Sequence, residues 1–449
     1  MGCLLINPMR RNCDASVGEC GDFGRLVPNS TTKNSRLERY QADPDPHFLP
    51  DTAVYGSRRR TRRDYHEQVT TQTQSSPPLY FNHGGCSFTT SSTLDAVVRQ
   101  LRLEQALGNS VADLTTSADR SHVYTLAARA LGADATNIAL TDSHTTGWAK
   151  ALQTISLNAG DVILTSRSEW GGNLSALQKS AQRHGSSVVV MPTIADGSVC
   201  LKSLAALMTK SVKLISVSWI GSNGGHVEPV AEIGQIARAY GVTYFVDASQ
   251  VVGQMPVDVK QIGCDVLTTP GRKWLRGPKG TGFMYLRSEY LHKCQATAQA
   301  DGAADSSTPL KPKHFEASSA SVPLQMGLLA ALGQLEQAGV EAVQKQILTR
   351  SQYLWEGLQG IPGVHCICRA APMHGLVSFT VEGHPTTAVR QKLMDMGIEV
   401  AANQAAFTPL DMHARQLDAV VRASPHACTT TDEIDQLIEA VKVISQQHG

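Results

Sequence analysis

An acid at the end of an apolar run and a lysine in a Gly/Pro loop define the chemistry open to this chain. Tyr244-Phe-Val246 runs into Asp247-Ala-Ser-Gln250, and 26 residues after Asp247 comes Lys273, in Pro270-Gly-Arg272-Lys273-Trp-Leu-Arg-Gly277-Pro-Lys-Gly280-Thr-Gly282. The first stretch reads as a buried strand that delivers an acid and an amide at its C-terminal edge. The Gly and Pro of the second forbid a helix interior, so the lysine stands in a loop. An acid that can pair with a protonated pyridine nitrogen, and an amine that can form a Schiff base, are the two groups pyridoxal phosphate chemistry needs from a protein. Arg272, next to the lysine, lowers an amine pKa toward the nucleophilic range. A buried Asp247 must be paired or it costs several kcal/mol, and a pyridinium is a suitable partner. Lys279 reads as a structural or surface lysine.

Other residues carry weaker signals, each with an ordinary alternative. Asp142-Ser143-His144-Thr145-Thr146-Gly147 follows a strand and opens a helix, so its N–H groups and hydroxyls could cradle a phosphate. Thr145 is the first choice there, with His144 beside it and Arg272 adding charge; a plain Ser/Thr cap is the alternative. Trp170, in Ser168-Glu-Trp-Gly-Gly-Asn173, lies past a strand end, where it either stacks on a flat cofactor or fills core. Gln250 could bond a cofactor's phenolic oxygen or be a polar residue at a helix start. Ser222, in Gly221-Ser-Asn-Gly-Gly225, could reach the same oxygen or the substrate. Arg422 ends the run Ala419-Val-Val421, and its guanidinium either forks onto an amino-acid carboxylate or makes an inter-domain salt bridge. No zinc-like grouping of Cys and His is present, and no metal is expected.

Those residues need a scaffold that brings loops from distant strands to one edge. Short apolar strands alternate with helices: 137–141, 161–165, 187–191, 214–218, 243–246 and 266–269, with helices near 148–152 and 174–181. That alternation predicts an α/β fold with a mostly parallel sheet flanked by helices, whose ligands sit beyond the strand C-terminal ends. Ser92–Glu104 has helical spacing at Leu94, Val97, Val98 and Leu101. Residues 296–312 read as a loop, 322–359 as helices. Strands at 375–381, 398–400 and 418–424, with helices at 387–396 and 431–441, make a smaller α+β C-terminal domain. The division expected is a polar, basic extension (1–76), a large cofactor-binding domain (77–295), and connecting helices with the small domain (296–449).

Composition sets the outer limits. With 449 residues, 42% hydrophobic, 18% charged and a net charge of +1, the chain has room for two domains and no general affinity for nucleic acid. No apolar run approaches the ~20 residues of a membrane span. Ten cysteines, scattered apart from Cys366-Ile-Cys368, read as reduced thiols of a cytoplasmic enzyme. Arg58–Arg63 and the polar run Thr70–Pro78 mark a flexible, dispensable extension, the Arg cluster reading as a solvated basic tail. Met1-Gly-Cys3 lacks the downstream Ser or Thr of a myristoylation signal.

The motifs Val246-Asp-Ala-Ser-Gln250, Gly271-Arg-Lys-Trp-Leu-Arg-Gly-Pro-Lys-Gly-Thr-Gly282 and Val421-Arg-Ala-Ser424 resemble the class V aminotransferase family of fold-type I pyridoxal phosphate enzymes, which includes cysteine desulfurases, isopenicillin N epimerase and kynureninase. The resemblance runs from about Tyr80 to Val443. Ser222-Asn-Gly-Gly225 and Gly253-Gln-Met-Pro-Val-Asp258 are most similar to a branch with hercynylcysteine sulfoxide lyases. It implies a homodimer acting on an amino acid through a Schiff base at Lys273. Asp247 would hold the ring nitrogen, Gln250 and Ser222 the phenolic oxygen, Thr145 the phosphate and Arg422 the substrate carboxylate, with Trp170 stacked on the ring. Freed Lys273 would then take the α-proton. Pro270-Gly271 stands where many relatives carry Ser or Thr, and Trp170 where many carry His. The segment Ala401–Leu410 has no cysteine, although desulfurases carry their persulfide-forming cysteine in this region; Cys428 is no substitute. The resemblance therefore implies C–S lysis of an S-substituted cysteine or its sulfoxide. Transamination or epimerisation is the alternative within the family, and a non-catalytic binding protein that kept the fold is the alternative outside it.

Overall fold

The computed structural model describes residues 78–300, 309–368 and 373–447, the side chains of 295–300 excepted. The Arg58–Arg63 cluster, the run Thr70–Pro77 and the rest of the expected extension lie outside the described residues.

Thirteen strands are described. In chain order they are β1 (Leu79–Tyr80), β2 (Ile138–Thr141), β3 (Val162–Thr165), β4 (Ser187–Val190), β5 (Val212–Ser218), β6 (Thr243–Asp247), β7 (Val266–Pro270), β8 (Gly282–Leu286), β9 (Val364–Cys366), β10 (Val377–Val381), β11 (Ile398–Glu399), β12 (Ala401–Gln404) and β13 (Ala419–Ala423). A seven-stranded sheet has the order β2-β8-β7-β6-β5-β3-β4. Only β8 runs against the others, pairing antiparallel with both β2 and β7. The C-terminal edges of six strands therefore face one way, and the β7–β8 connection that carries Lys273 returns across that edge.

Continuous apolar runs are what a sheet covered on both faces requires. In β6, Tyr244 and Val246 enter one hydrophobic cluster while Phe245, pointing the other way, enters a second. Leu214 and Ile215 in β5, and Val266 and Leu267 in β7, divide in the same manner. A third cluster fills the smaller C-terminal part, where Phe81, Leu354, Phe379, Val421 and Leu437 meet. That part is built on the antiparallel sheet β12-β13-β10-β9, with β1 and β11 paired beside it.

The helix expected over 92–104 spans Ser91–Leu107; it turns Thr93, Ala96 and Gln100 inward, whereas Leu94 and Leu101 of its apolar stripe are half-exposed. Small side chains win the inner face because the helix Val322–Ala338 packs closely there, with Gly327 against Val97. The segment expected as a loop from 296 is helical as far as Ala300, because the helix begun at Ser288 continues into it.

Candidate active site

A cavity of about 320 Å³ opens where the C-terminal edge of the large sheet faces the smaller sheet. It is bordered by each residue singled out from the sequence: Ser143, His144 and Thr145 after β2, Trp170 after β3, Ser222 after β5, Asp247 and Gln250 at the end of β6, Arg272 and Lys273 after β7, and Arg422 from β13. Parallel strands explain the convergence, since each βα connection leaves at the same edge.

Asp247 is buried, and every contact it makes is with a donor. Its Oδ1 accepts from Ser249 N at 2.8 Å, and its Oδ2 lies 3.2 Å from both Asn173 Nδ2 and His144 Nε2. His144, in the first turn of the helix His144–Leu152, sets its Nδ1 2.7 Å from Thr268 Oγ1. Burial pushes its imidazole pKa below the ordinary value, against the pull of Asp247. The sequence pointed to His144 as a cofactor contact; the structure also makes it a neighbour of the acid.

Lys273 lines the cavity. Burial pulls its amine down to about 7; Asp247 opposes this, while Arg272 and Arg422 reinforce it. A fraction of the amine is therefore neutral, hence nucleophilic, near neutral pH. Arg272 donates from Nη1 to Gly85 O. Arg422 donates to Ser222 O at 2.7 Å and to Asn82 Oδ1 at 3.1 Å, and its buried Nε has no partner. Among the described residues no carboxylate pairs with it, so the inter-domain salt bridge is not formed. Burial and then Arg272 bring its pKa down to about 10. A buried guanidinium with a free edge is a seat for an anion.

Gln250 donates from Nε2 to Gly84 O and accepts from Trp274 Nε1, both at 3.0 Å, which leaves one amide hydrogen unassigned. The Ser143 hydroxyl accepts from Thr146 N and so caps the helix, while Thr145 stays exposed at its first turn, where N–H groups lack intrahelical partners. Trp170 immediately precedes the helix Gly171–His184, its ring edge-on to His144 with centroids 5.8 Å apart. Ser249 Oγ, also in the cavity wall, is buried without a partner. The donor set fits pyridoxal phosphate. It offers an amine that is neutral in part, an acceptor-only acid for a pyridinium, hydroxyls with a helix start for a phosphate, and an unpaired guanidinium for a substrate carboxylate.

Sequence reasoning missed several participants. Asn82, Gly84 and Gly85 reach the cavity from β1, and Asn403 and Phe407 from the segment around β12. Glu169, fully buried, accepts from Ser218 Oγ (2.7 Å), Ser216 Oγ (2.8 Å), Trp170 N and Asn173 Nδ2 (both 3.0 Å) and Thr165 Oγ1 (3.1 Å). Burial raises its pKa. The only signal for Glu169 and Asn173 was their place in the segment that also carries Trp170.

Known proteins resemble this chain in sequence and in fold. The family model described as aminotransferase class-V matches residues 79–437. A probable cysteine desulfurase of Xylella fastidiosa is 31% identical over 302 residues, 65% of this chain and 71% of that protein. A cysteine desulfurase of Klebsiella pneumoniae is 29% identical over 301 residues, 65% of this chain and 73% of that one. The solved complex of the cystine C–S lyase C-DES with its reaction product cysteine persulfide has a TM-score of 0.71 at 27% identity, covering 81% of this chain and 97% of its own. A lysine-to-alanine mutant of C-DES with glycine covalently linked to the PLP cofactor has a TM-score of 0.71 at 26% identity, covering 84% and 98%.

Proposed function

The chain belongs to the aminotransferase class-V family, with that family's fold-type I architecture and pyridoxal phosphate cofactor, and on that premise we propose that it cleaves the Cβ–S bond of an S-substituted cysteine or its sulfoxide. The observation that carries the reading is the cavity wall, where no cysteine is among the bordering residues. The segment expected to hold a desulfurase thiol is instead β12, the turn Ala405–Phe407 and the helix Pro409–Ala414. With no thiol to take sulfur, the sulfur leaves with the substituent it arrived with. The likeness to a cystine C–S lyase supports this. The curated cysteine desulfurases favour a second reading, in which Cys86 (next to the cavity-lining Gly85) or the exposed Cys428 accepts sulfur.

Bound pyridoxal phosphate supplies a carbonyl that captures amines and a ring that takes up electron density from a carbon losing its proton. Thr145, Ser143 and the helix start would hold its phosphate. Trp170 would cover one face of the ring, and the remaining amide hydrogen of Gln250, with Ser222, would face its phenolic oxygen. Asp247 would keep the proton on the ring nitrogen. Arg422 orients the substrate by its carboxylate, aiming the Cα–H at Lys273 Nζ, which removes the proton as a neutral amine. The Cβ–S bond then breaks, the sulfur leaving as thiolate or sulfenate, and water converts the remaining fragment to pyruvate and ammonia. The half-exposed apolar face formed by Leu94, Leu101, Leu107 and Val111 supports a homodimer. No helix among the described residues is long and apolar enough to cross a membrane, and the seven described cysteines are free thiols, which suits a cytoplasmic setting.

The test is the holoenzyme with S-alkyl cysteines, their sulfoxides, cystine and L-cysteine, scored for pyruvate, keto acid, racemised amino acid and protein-bound persulfide. Pyruvate from the substituted cysteines, retained in Cys86→Ser and Cys428→Ser, is expected. Persulfide on either cysteine would establish the desulfurase reading, and keto acid or racemised product without pyruvate would establish transamination or epimerisation.

A further inference from the structure

The hydrogen bonds around Asp247 form a closed set whose donors and acceptors can be assigned one from the next. Glu169 is ringed by donors, so the Asn173 side chain must turn its nitrogen toward Oε1, 3.0 Å away. The same nitrogen has a second hydrogen, which meets Asp247 Oδ2 at 3.2 Å. The Asn173 carbonyl then faces His144 Nε2 at 3.1 Å. Because Nε2 faces two acceptors, Asn173 Oδ1 and Asp247 Oδ2, it carries the hydrogen. A neutral imidazole then leaves Nδ1 as an acceptor for the Thr268 hydroxyl. Every group touching Asp247 consequently donates to it. Asn173 itself is 1% exposed, so water does not supply an alternative partner.

We propose that Asn173 is a positioning residue whose hydrogen bond holds the Asp247 carboxylate in place and aimed into the cavity, with Glu169 as the anchor that holds the Asn173 amide the right way round. The inference rests on the reading of Asp247 as partner of the ring nitrogen. Removing the Asn173 donor lets the Asp247 carboxylate turn, weakens its hold on the ring proton, and lets the bound cofactor keep its other proton to higher pH. In Glu169→Gln, the new carbonyl still accepts from Trp170 N and Asn173, while the Ser216 and Thr165 hydroxyls rotate to accept from the new amide. In Glu169→Leu, nothing fixes the Asn173 amide.

The experiment follows the visible absorption band of the bound cofactor against pH in Asn173→Leu, Glu169→Leu, Glu169→Gln and Asp247→Asn holoproteins, each checked for folding by circular dichroism. Asn173→Ala, which leaves room for water, replaces the leucine variant if that does not fold. The expected result is a midpoint moved up by about one pH unit in the Asn173 and Glu169→Leu variants, further in Asp247→Asn, and unchanged in Glu169→Gln. A wild-type midpoint in a folded Asn173 variant, with Asp247→Asn shifted, overturns this inference and leaves the function standing. A wild-type midpoint in Asp247→Asn overturns the role of Asp247 and this inference with it. A shift in Glu169→Gln equal to that in Glu169→Leu assigns the effect to the charge of Glu169 and overturns its part as an anchor.

Discussion

Burial, opposed by one carboxylate and reinforced by two guanidinium groups in the same cavity, sets the pH behaviour of Lys273. With a folded-state pKa of about 7 against an ordinary 10.5, the unfolded chain binds more protons at this residue between those values. Apo-protein stability should therefore rise with pH from about 7 toward 10.5, and Lys273→Met should flatten that rise in a melting series. Cofactor capture by the apo-protein should accelerate through the same midpoint, because only the neutral amine attacks. Borohydride should then fix the cofactor on Lys273; peptide mapping that finds it on Lys279 refutes the assignment. Asp247→Ala should retain cofactor through its phosphate contacts yet lose turnover by about 100-fold or more. Arg422→Lys keeps a charge but loses the planar fork, so KM for the amino acid should rise roughly tenfold or more with the cofactor spectrum unmoved. The sequence pointed to Asp247 and Arg422 because each ends an apolar run, and to Lys273 because it stands in a Gly/Pro loop between strands; all three border one cavity. Glu169 and Asn173 were not legible in the sequence, because their meaning is a through-space exchange of hydrogen bonds with Asp247 and His144 that no local pattern encodes.

At the scale of elements, the helix Gly171–His184 meets the turn Ala405–Phe407 so closely that a Cβ on Gly171 would collide with Ala406 O. Gly171→Ala must push that turn, and Phe407 with it, away from the cavity mouth. The expected cost is about 1–3 kcal/mol of stability, with a raised KM and near-normal cofactor binding, separable by denaturant melts and spectral titration. A remote control is available in the helix Thr431–Ser445. Its capping box pairs Thr430 Oγ1 with Glu433 N at 3.2 Å and Glu433 Oε2 with Thr430 N at 2.7 Å. Thr430→Ala should cost about 1 kcal/mol without changing kcat. The strand–helix alternation of the large sheet was readable because its central strands are apolar on both faces. The pairing of β1 with β11 was not, since two residues at each end carry no periodicity. The helical spacing of Ser91–Leu107 was readable, but not that tight helix packing turns Thr93, Ala96 and Gln100 inward in place of the leucines.

For the whole molecule, the apolar face of Ser91–Leu107 and Asn109–Thr115 bears on assembly: Leu114 is 75% exposed, and Leu94, Leu101 and Val111 about half. Leu101→Glu with Leu114→Glu should convert a dimer to monomer in light scattering, and an unchanged mass would place the dimer contact elsewhere. Segments 340 residues apart are also tied together at the cavity. Arg422 donates to Asn82 across 340 residues, and Ser424 Oγ accepts from Gly84 N at 2.9 Å. Lengthening a loop adds closure entropy only logarithmically, so this span costs little at equilibrium. Its effect is on the order of events. During synthesis, β6 and the β7–β8 hairpin leave the ribosome before β13 exists, so Asp247 and Lys273 can find their sheet while Arg422 is still unmade. The proposed Schiff-base lysine would therefore be in place before the arginine proposed to grip the substrate carboxylate, so the half of the cavity that would hold the cofactor can form before the half that would orient the substrate.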